Sequence, residues 1–280
     1  MMNTKYLIMA CLWLFVAIYG RAQTKKIVLL HTNDTHSQIE PLDSTDCSHP
    51  DKGGTARRQA YVESVRASER NVLVLDAGDF SQGTIYYNIF GGQMEIECMN
   101  LIGYDAATLG NHEFDSGLEN LRKMLRKARF PIVCTNYDVS TTCLKKWIKP
   151  YHIIHTDGLR IGIIGLGVRL EGIVQQKNCR GIKFIRPYEI AEKTALFLKE
   201  KKKCDLVVCL SHLGLDKNTY NDRELAAKTS NIDVILGGHS HVFMQSPEWV
   251  ENVRGHKVLV SQAGEKGVLV GRVDIEVASE

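Results

Sequence analysis

Val234-Ile235-Leu236-Gly237-Gly238-His239-Ser240-His241 is an apolar, strand-like run that ends abruptly in glycine and histidine. Four other stretches have the same form. Ile27-Val28-Leu29-Leu30 leads into Asn33-Asp34-Thr35-His36, and Val72-Leu73-Val74-Leu75 leads into Gly78-Asp79. Ala106-Ala107-Thr108-Leu109 leads into Gly110-Asn111-His112-Glu113, and Leu206-Val207-Val208-Cys209-Leu210 leads into Ser211-His212. Open α/β sheets bind ligands just beyond the carboxyl ends of their strands. Five polar tips of one chemical type can therefore meet in one place, and converging oxygen and imidazole donors suggest a metal site.

Helical patterns alternate with these runs. They are expected at residues 54–69, 91–104, 117–129, 187–202 and 221–230. The third is the clearest, because Leu118, Leu121, Leu125 and Ala128 fall on one face. The fourth opens on Pro187 and closes in lysines, as the helix dipole favours. Two hairpins break the alternation. Residues 151–155 and 160–166 flank Thr156-Asp157-Gly158, and residues 258–263 and 268–277 flank Gly264-Glu265-Lys266-Gly267. The expected fold is α/β, a four-layer αββα sandwich of two mixed sheets, with the metal site at the strand C-terminal ends. One domain over residues 23–280 is the economical reading.

The first 22 residues resemble a secretory signal. Lys5 precedes an apolar stretch from Tyr6 to Tyr19, and Gly20-Arg21-Ala22 offers a small-residue cleavage site. That stretch is shorter than the ~20 residues of a spanning helix, so cleavage is favoured over an uncleaved anchor. Nothing later resembles a second membrane segment. The protein is thus expected to be exported, periplasmic or extracellular. Without Lys5 and Arg21 the chain carries 33 basic and 32 acidic residues, a balance that gives no case for nucleic-acid binding by bulk charge. Export permits disulfides. Of the seven cysteines after the leader, Cys47, Cys143 and Cys179 read as loop residues and are the better candidates. Cys98, Cys134, Cys204 and Cys209 read as buried thiols. No CxxC pair occurs, which argues against a cysteine zinc site.

Spacing sharpens the site. Asp34 and His36 are two apart, as are His239 and His241. In extended chain such pairs face one side. Asp79, ending a central strand, is placed to bridge two cations. Two divalent ions bring four positive charges. Asp34, Asp79 and a bridging hydroxide remove three, which leaves a site that attracts an anion such as phosphate. Paired metals ~3.5–4 Å apart suit displacement at phosphorus. The mixed His, Asp and Asn donors suit Zn, Mn, Fe or Co without choosing among them.

In order and spacing, HTNDTH, the GD at Asp79, GNHEFD, SHLG and GGHSH resemble the calcineurin-like metallophosphatases. Within them the resemblance is closest to the catalytic domain of 5'-nucleotidases. It implies that Asp34, His36, Asp79 and His241 hold one metal, and that Asp79, Asn111, His212 and His239 hold the other. It also implies that His112 stabilises the phosphoryl group in the transition state while Asp115 orients its ring. Glu113 stands where the family often has Asp. The implied reaction is hydrolysis of nucleoside 5'-monophosphates, with a cyclic-nucleotide or nucleotide-sugar phosphodiesterase as the alternative. Such nucleotidases usually continue into a C-terminal domain that holds the base between aromatic rings and grips the substrate with arginines. This sequence stops at Glu280, so the expectation is either that it works alone on small phosphoesters or, the favoured reading, that a separate chain supplies that half.

Other conspicuous residues have plainer readings. His31 is flanked by apolar residues and reads as a core histidine. Trp147, Tyr151 and Trp249 read as packing residues, and Tyr86, Tyr87 and Phe90 are placed to line the mouth of the site.

Overall fold

Alternate residues of the first strand, β1 (Thr24–Thr32), enter two different cores. Ile27 and Leu29 point one way and Val28 and Leu30 the other, as the two-residue period requires. All four are buried, so both faces of this sheet are covered. The computed structural model describes residues 24–216 and 220–278. The leader read at residues 1–22 lies outside them.

After β1 come α1 (Thr55–Ser68), β2 (Val72–Asp76), α2 (Ile85–Phe90), α3 (Gln93–Ile102), β3 (Ala106–Ala107), α4 (Gly117–Leu125) and β4 (Ile132–Val133). Next are β5 (Tyr137–Asp138), β6 (Ile148–Lys149), β7 (Tyr151–Thr156), β8 (Leu159–Leu166), β9 (Lys183–Phe184) and α5 (Pro187–Glu200). The chain closes with β10 (Leu206–Ser211), α6 (Asp222–Lys228), β11 (Val234–Gly237), β12 (Glu248–Glu251), β13 (Lys257–Gln262) and β14 (Gly271–Ala278).

Two six-stranded sheets result, ordered β14-β1-β2-β3-β4-β6 and β12-β13-β11-β10-β8-β7, with a small β5-β9 ladder beside them. Both large sheets are mixed. β14 is antiparallel to β1, β12 to β13 and β7 to β8, while their other pairings are parallel. Between the sheets Ile27, Leu29, Leu73 and Leu75 meet Ile161, Ile163, Val208 and Leu236. The outer face of the first sheet packs on Val62 and Val65 of α1, Ile96 of α3 and Leu121 of α4. The outer face of the second packs on Ala191, Ala195 and Leu198 of α5 and Leu225 of α6. This is the expected αββα sandwich. Each fully buried aliphatic side chain contributes roughly 1.5–3 kcal/mol, so the three apolar layers dominate the stability.

The β7–β8 hairpin forms as read from its Asp-Gly turn. The second expected hairpin does not. β13 lies in the second sheet between β11 and β12, whereas β14 pairs with β1 in the first. The segment between them is drawn to the β1 tip instead of folding back. Asn33 accepts from the Ala263 N–H and donates to the Gly264 carbonyl, and the Lys266 N–H donates to the Asp34 carbonyl. Among the helices, α2 has no strong sequence signal, being six residues with Ile85, Ile89 and Phe90 exposed. It is started by Thr84, whose hydroxyl accepts from the Tyr86 N–H. α4 ends four residues before the expected Arg129. The chain tightens there through Lys127 N–H to Met124 and Ala128 N–H to Leu125 bonds, which close a narrower turn.

All seven described cysteines are free thiols, so the disulfide expectation for Cys47, Cys143 and Cys179 is not met. No described helix is long and apolar enough to cross a membrane. His31 is fully buried, with Nε2 3.1 Å from Ser261 Oγ on the facing sheet. Burial pushes its pKa down to about 4.

Candidate metal centre

β1, β2 and β3 of one sheet and β10 and β11 of the other end at the same edge of the sandwich, and their five tips converge there. Asp34, His36 and His241 bring one donor atom each to within 4.8 Å of one another. So do Asp79, His212 and His239, and so do His36, Asp79 and His112. Asp79 and His36 each stand in two of these groups. Asn111 belongs to the same loop as His112 and is almost completely buried.

The convergence is not produced by extended chain. Asp34, His36, Asp79, His239 and His241 all have positive φ, between 45° and 71°. The expectation that residues two apart share a side along a strand is therefore corrected. β1 ends at Thr32 and β11 at Gly237, and the ligating pairs sit in left-handed turns beyond them. In consequence His239 and His241 serve different groups. Asp and His tolerate this region better than most residues, although it remains costly for any side chain with a Cβ.

Main-chain and side-chain bonds lock the turns. Asp34 N–H donates to Gly78, and His36 N–H to Asp79. Asn33 Nδ2 donates to Asp34 Oδ2 at 2.7 Å, and His239 N–H donates to the same oxygen at 2.8 Å. The His112 N–H reaches Asp79 Oδ1 at 2.8 Å. Glycine clears the floor. A Cβ on Gly110 would lie 2.1 Å from Asp79 Oδ1, and one on Gly238 would lie 2.9 Å from Asp34 Oδ2.

The imidazoles are oriented from behind. His212 Nδ1 lies 2.7 Å from the Ala77 carbonyl and donates to it, which leaves Nε2 as the atom available to a metal. His241 Nδ1 meets Glu265 Oε2 at 2.9 Å. His112 Nδ1 meets Asp115 Oδ2 at 2.7 Å. Burial lowers the pKa of His36 and of His239, which favours the neutral, coordinating form. At His212 burial acts in the same direction, but Asp79 and Asp34 outweigh it and push the pKa up to about 10. A cation would displace that proton.

The donors fit a metal by what they lack. Asp34 Oδ1, Asn111 Oδ1 and His212 Nε2 are buried and make no hydrogen bond. His212 Nε2 lies 3.0 Å from Asp79 Oδ2 without the alignment of a hydrogen bond. His36 Nε2 and His241 Nε2 face each other at 3.1 Å. Unpaired buried acceptors are expensive, and a shared cation satisfies them together.

The family model described as calcineurin-like phosphoesterase matches residues 27–243. The chain belongs to that family. The chain is 31% identical to a snake venom 5'-nucleotidase from Gloydius brevicauda, over 96% of the chain and 48% of the relative. It superposes on a 5'-nucleotidase precursor from Thermus thermophilus with TM-score 0.81 and 38% identity, covering 90% of this chain and 51% of that one. A Haemophilus influenzae NAD nucleotidase gives TM-score 0.79 and 31% identity, covering 91% and 48%. The chain thus spans about half the length of these relatives. The family uses dinuclear metal sites, and the clusters above are candidate metal-ligand groups.

Three supporting residues were not read from the sequence. Glu113 is fully buried and accepts from Asp79 N–H, Gly110 N–H, Ser81 N–H and Ser81 Oγ at 2.7–3.1 Å. Asn33 orients Asp34, and Glu265 holds His241. Glu265 was hidden by the hairpin reading, and the other two stand inside the quoted motifs. The residues expected at the mouth divide. Tyr87 is buried and donates to Ser116, Tyr86 pairs with Glu40, and Phe90 is exposed.

Proposed function

We propose that this domain is a metal-dependent phosphoester hydrolase that converts nucleoside 5'-monophosphates to nucleoside and phosphate. The observation that carries the reading is the convergence of Asp34, His36, Asp79, His212, His239 and His241 from the strand tips, with Asp34 Oδ1, His212 Nε2 and the neighbouring Asn111 Oδ1 buried without hydrogen bonds. Asp34, His36, Asp79 and His241 would hold one divalent cation, and Asp79, Asn111, His212 and His239 the other. Zn, Mn, Fe and Co all suit this donor set. When bound, such a pair supplies Lewis acidity and activates water near neutral pH.

The chain's own residues supply the rest. Asp115 fixes the His112 ring through Nδ1, which leaves Nε2 for a phosphoryl oxygen. Burial opposes protonation of His112, but Asp79 and Asp115 outweigh it and raise its pKa, so the ring can carry a proton toward developing negative charge. The leader read at residues 1–22 supports an exported protein, and the similarity to 5'-nucleotidases supports a nucleotide substrate. The test is a panel of AMP, a cyclic nucleotide and p-nitrophenyl phosphate, each with and without added Mn or Zn. Metal-dependent release of phosphate from AMP is expected. Hydrolysis of the cyclic nucleotide alone, or activity indifferent to chelation, would overturn the proposal.

A further inference from the structure

An open cavity of about 1000 Å³ adjoins the metal centre on the His239 side. His239 stands at one end, and Arg169, Tyr188, Tyr220, Leu213 and Ile173 line the walls. Its aromatic wall is organised. Tyr188 and Tyr220 meet edge to face with centroids 5.0 Å apart, and Phe184, which lines the neighbouring cavity, lies 6.1 Å from Tyr220. A cation caps each end of this row, with Arg169 Cζ 5.0 Å over Phe184 and Lys228 Nζ 5.2 Å over Tyr188. Lys228 is paired with Glu224 at 2.6 Å. Arg169 is exposed, and among the described residues the Phe184 ring is its one partner.

We propose that this cavity is a nucleoside subsite within the catalytic domain itself, with the base stacking on the aromatic wall and Arg169 as its adjustable face. The inference rests on the reading of the metal centre as a phosphoesterase site. Its volume is at the upper end of the range for small-molecule sites, and His239, one of the proposed metal ligands, is among its lining residues. Aromatic faces and guanidinium planes stack on any base, so the recognition would be tolerant of base identity. Charge selects further. Glu171, Glu189, Glu192 and Glu224 line the cavity against Arg169 and Lys228, a formal excess of two negative charges. Such walls accept a neutral nucleoside and repel additional phosphates. They favour monophosphates over diphosphates and triphosphates.

Two arms test this in the full chain. In the first, adenosine is titrated into metal-free protein by calorimetry, a readout independent of turnover. Adenosine is expected to bind, and Arg169→Ala to weaken it by roughly 5- to 150-fold, the range for loss of one base stack. Ile173→Trp, at a half-exposed wall position, is expected to block the cavity without disturbing the core. In the second arm, kcat/KM for AMP and for ribose 5-phosphate are compared on the metal-loaded enzyme. The wild type is expected to prefer AMP, and both variants to lose that preference. Trp249→Ala, an exposed aromatic outside the cavity, is expected to keep it. Failure of adenosine to bind, or equal kcat/KM for the two phosphates, overturns the subsite. Adenosine binding that is lost in both variants, with hydrolysis of neither phosphate, supports the subsite and sinks the phosphoesterase reading instead.

Discussion

Replacing Glu113 tests whether a buried carboxylate holds the two loops of the metal centre together. Its Oε2 accepts from the Asp79 and Gly110 N–H groups, and its Oε1 from the Ser81 N–H and hydroxyl. Burial, together with the charge of Asp79, pushes the carboxyl up to about 7, while His212 and the donated N–H groups pull the other way. Glu113→Gln can keep the Oε2 side by turning its amide nitrogen toward Ser81, whose hydroxyl can accept. One N–H, that of Ser81, then loses its acceptor at ~1–3 kcal/mol. For a domain of this size that lowers the melting temperature by about 5 °C. Glu113→Ala orphans three buried N–H groups, for ~3–9 kcal/mol in all, a large part of a typical domain's ~5–15 kcal/mol. Circular-dichroism melts and metal content after dialysis measure both effects. Gln is expected to be mildly destabilised and to retain metal. Ala is expected to melt far lower and to lose metal, because Asp79 and the Gly110 turn are no longer tied together. An Ala variant that melts within roughly 2 °C of wild type, with full metal content, would refute the clamp.

Asp79→Asn removes the charge placed between both ligand groups, so metal content measured by atomic emission is expected to fall below that of the wild type. An unchanged content contradicts the bridging assignment. His112→Ala leaves every proposed metal ligand intact, and kcat is expected to drop ~10²–10⁴-fold with metal content preserved. A mutant as active as wild type removes His112 from the mechanism. His31 gives a pH prediction. Its folded pKa of about 4 lies below the ordinary histidine value of 6.5, so its contribution is full above pH 6.5 and is lost as pH falls through 4. That difference amounts to about 3 kcal/mol. Denaturant midpoints measured from pH 7 to pH 4 should fall less steeply in His31→Gln, and identical slopes would contradict the reading.

The strand tips were legible because parallel strands covered on both faces appear as continuous apolar runs, and Val234 to Leu236 or Leu206 to Leu210 cannot be mistaken for amphipathic elements. The candidate donors were legible because they stand in short motifs of Asp, Asn and His beside glycine. The backbone path was not. Asp34 and His36 reach the centre through left-handed turns, and nothing in residue spacing separates that from extended alternation. The Gly264–Gly267 turn carries every local mark of a hairpin. Its true course is set by Asn33 and Asp34, more than 200 positions away. Glu113 and Glu265 were missed for the same reason, since their partners are fixed by tertiary contact and leave no periodic trace.

The left-handed turns also explain why the site is built from these residue types. Five of the seven proposed ligands occupy a region that costs roughly 1–2 kcal/mol per residue with a Cβ. The sum is comparable to the net stability of a whole domain. Glycine would relieve that strain, but it offers no donor atom. Asp and His both coordinate and enter this region more readily than β-branched or bulky residues do. The strain is spread over turns whose N–H groups are bonded across the site, Asp34 to Gly78 and His36 to Asp79. No single turn can therefore relax without breaking a bond to its neighbour. Glycines sit beside the ligands, at Gly78, Gly110 and Gly238, where added Cβ atoms would strike neighbouring site atoms. This division of positions, with donors where strain is tolerated and glycine where space is absent, is what the recurring Gly-Asp, Gly-Asn-His and Gly-Gly-His strings encode.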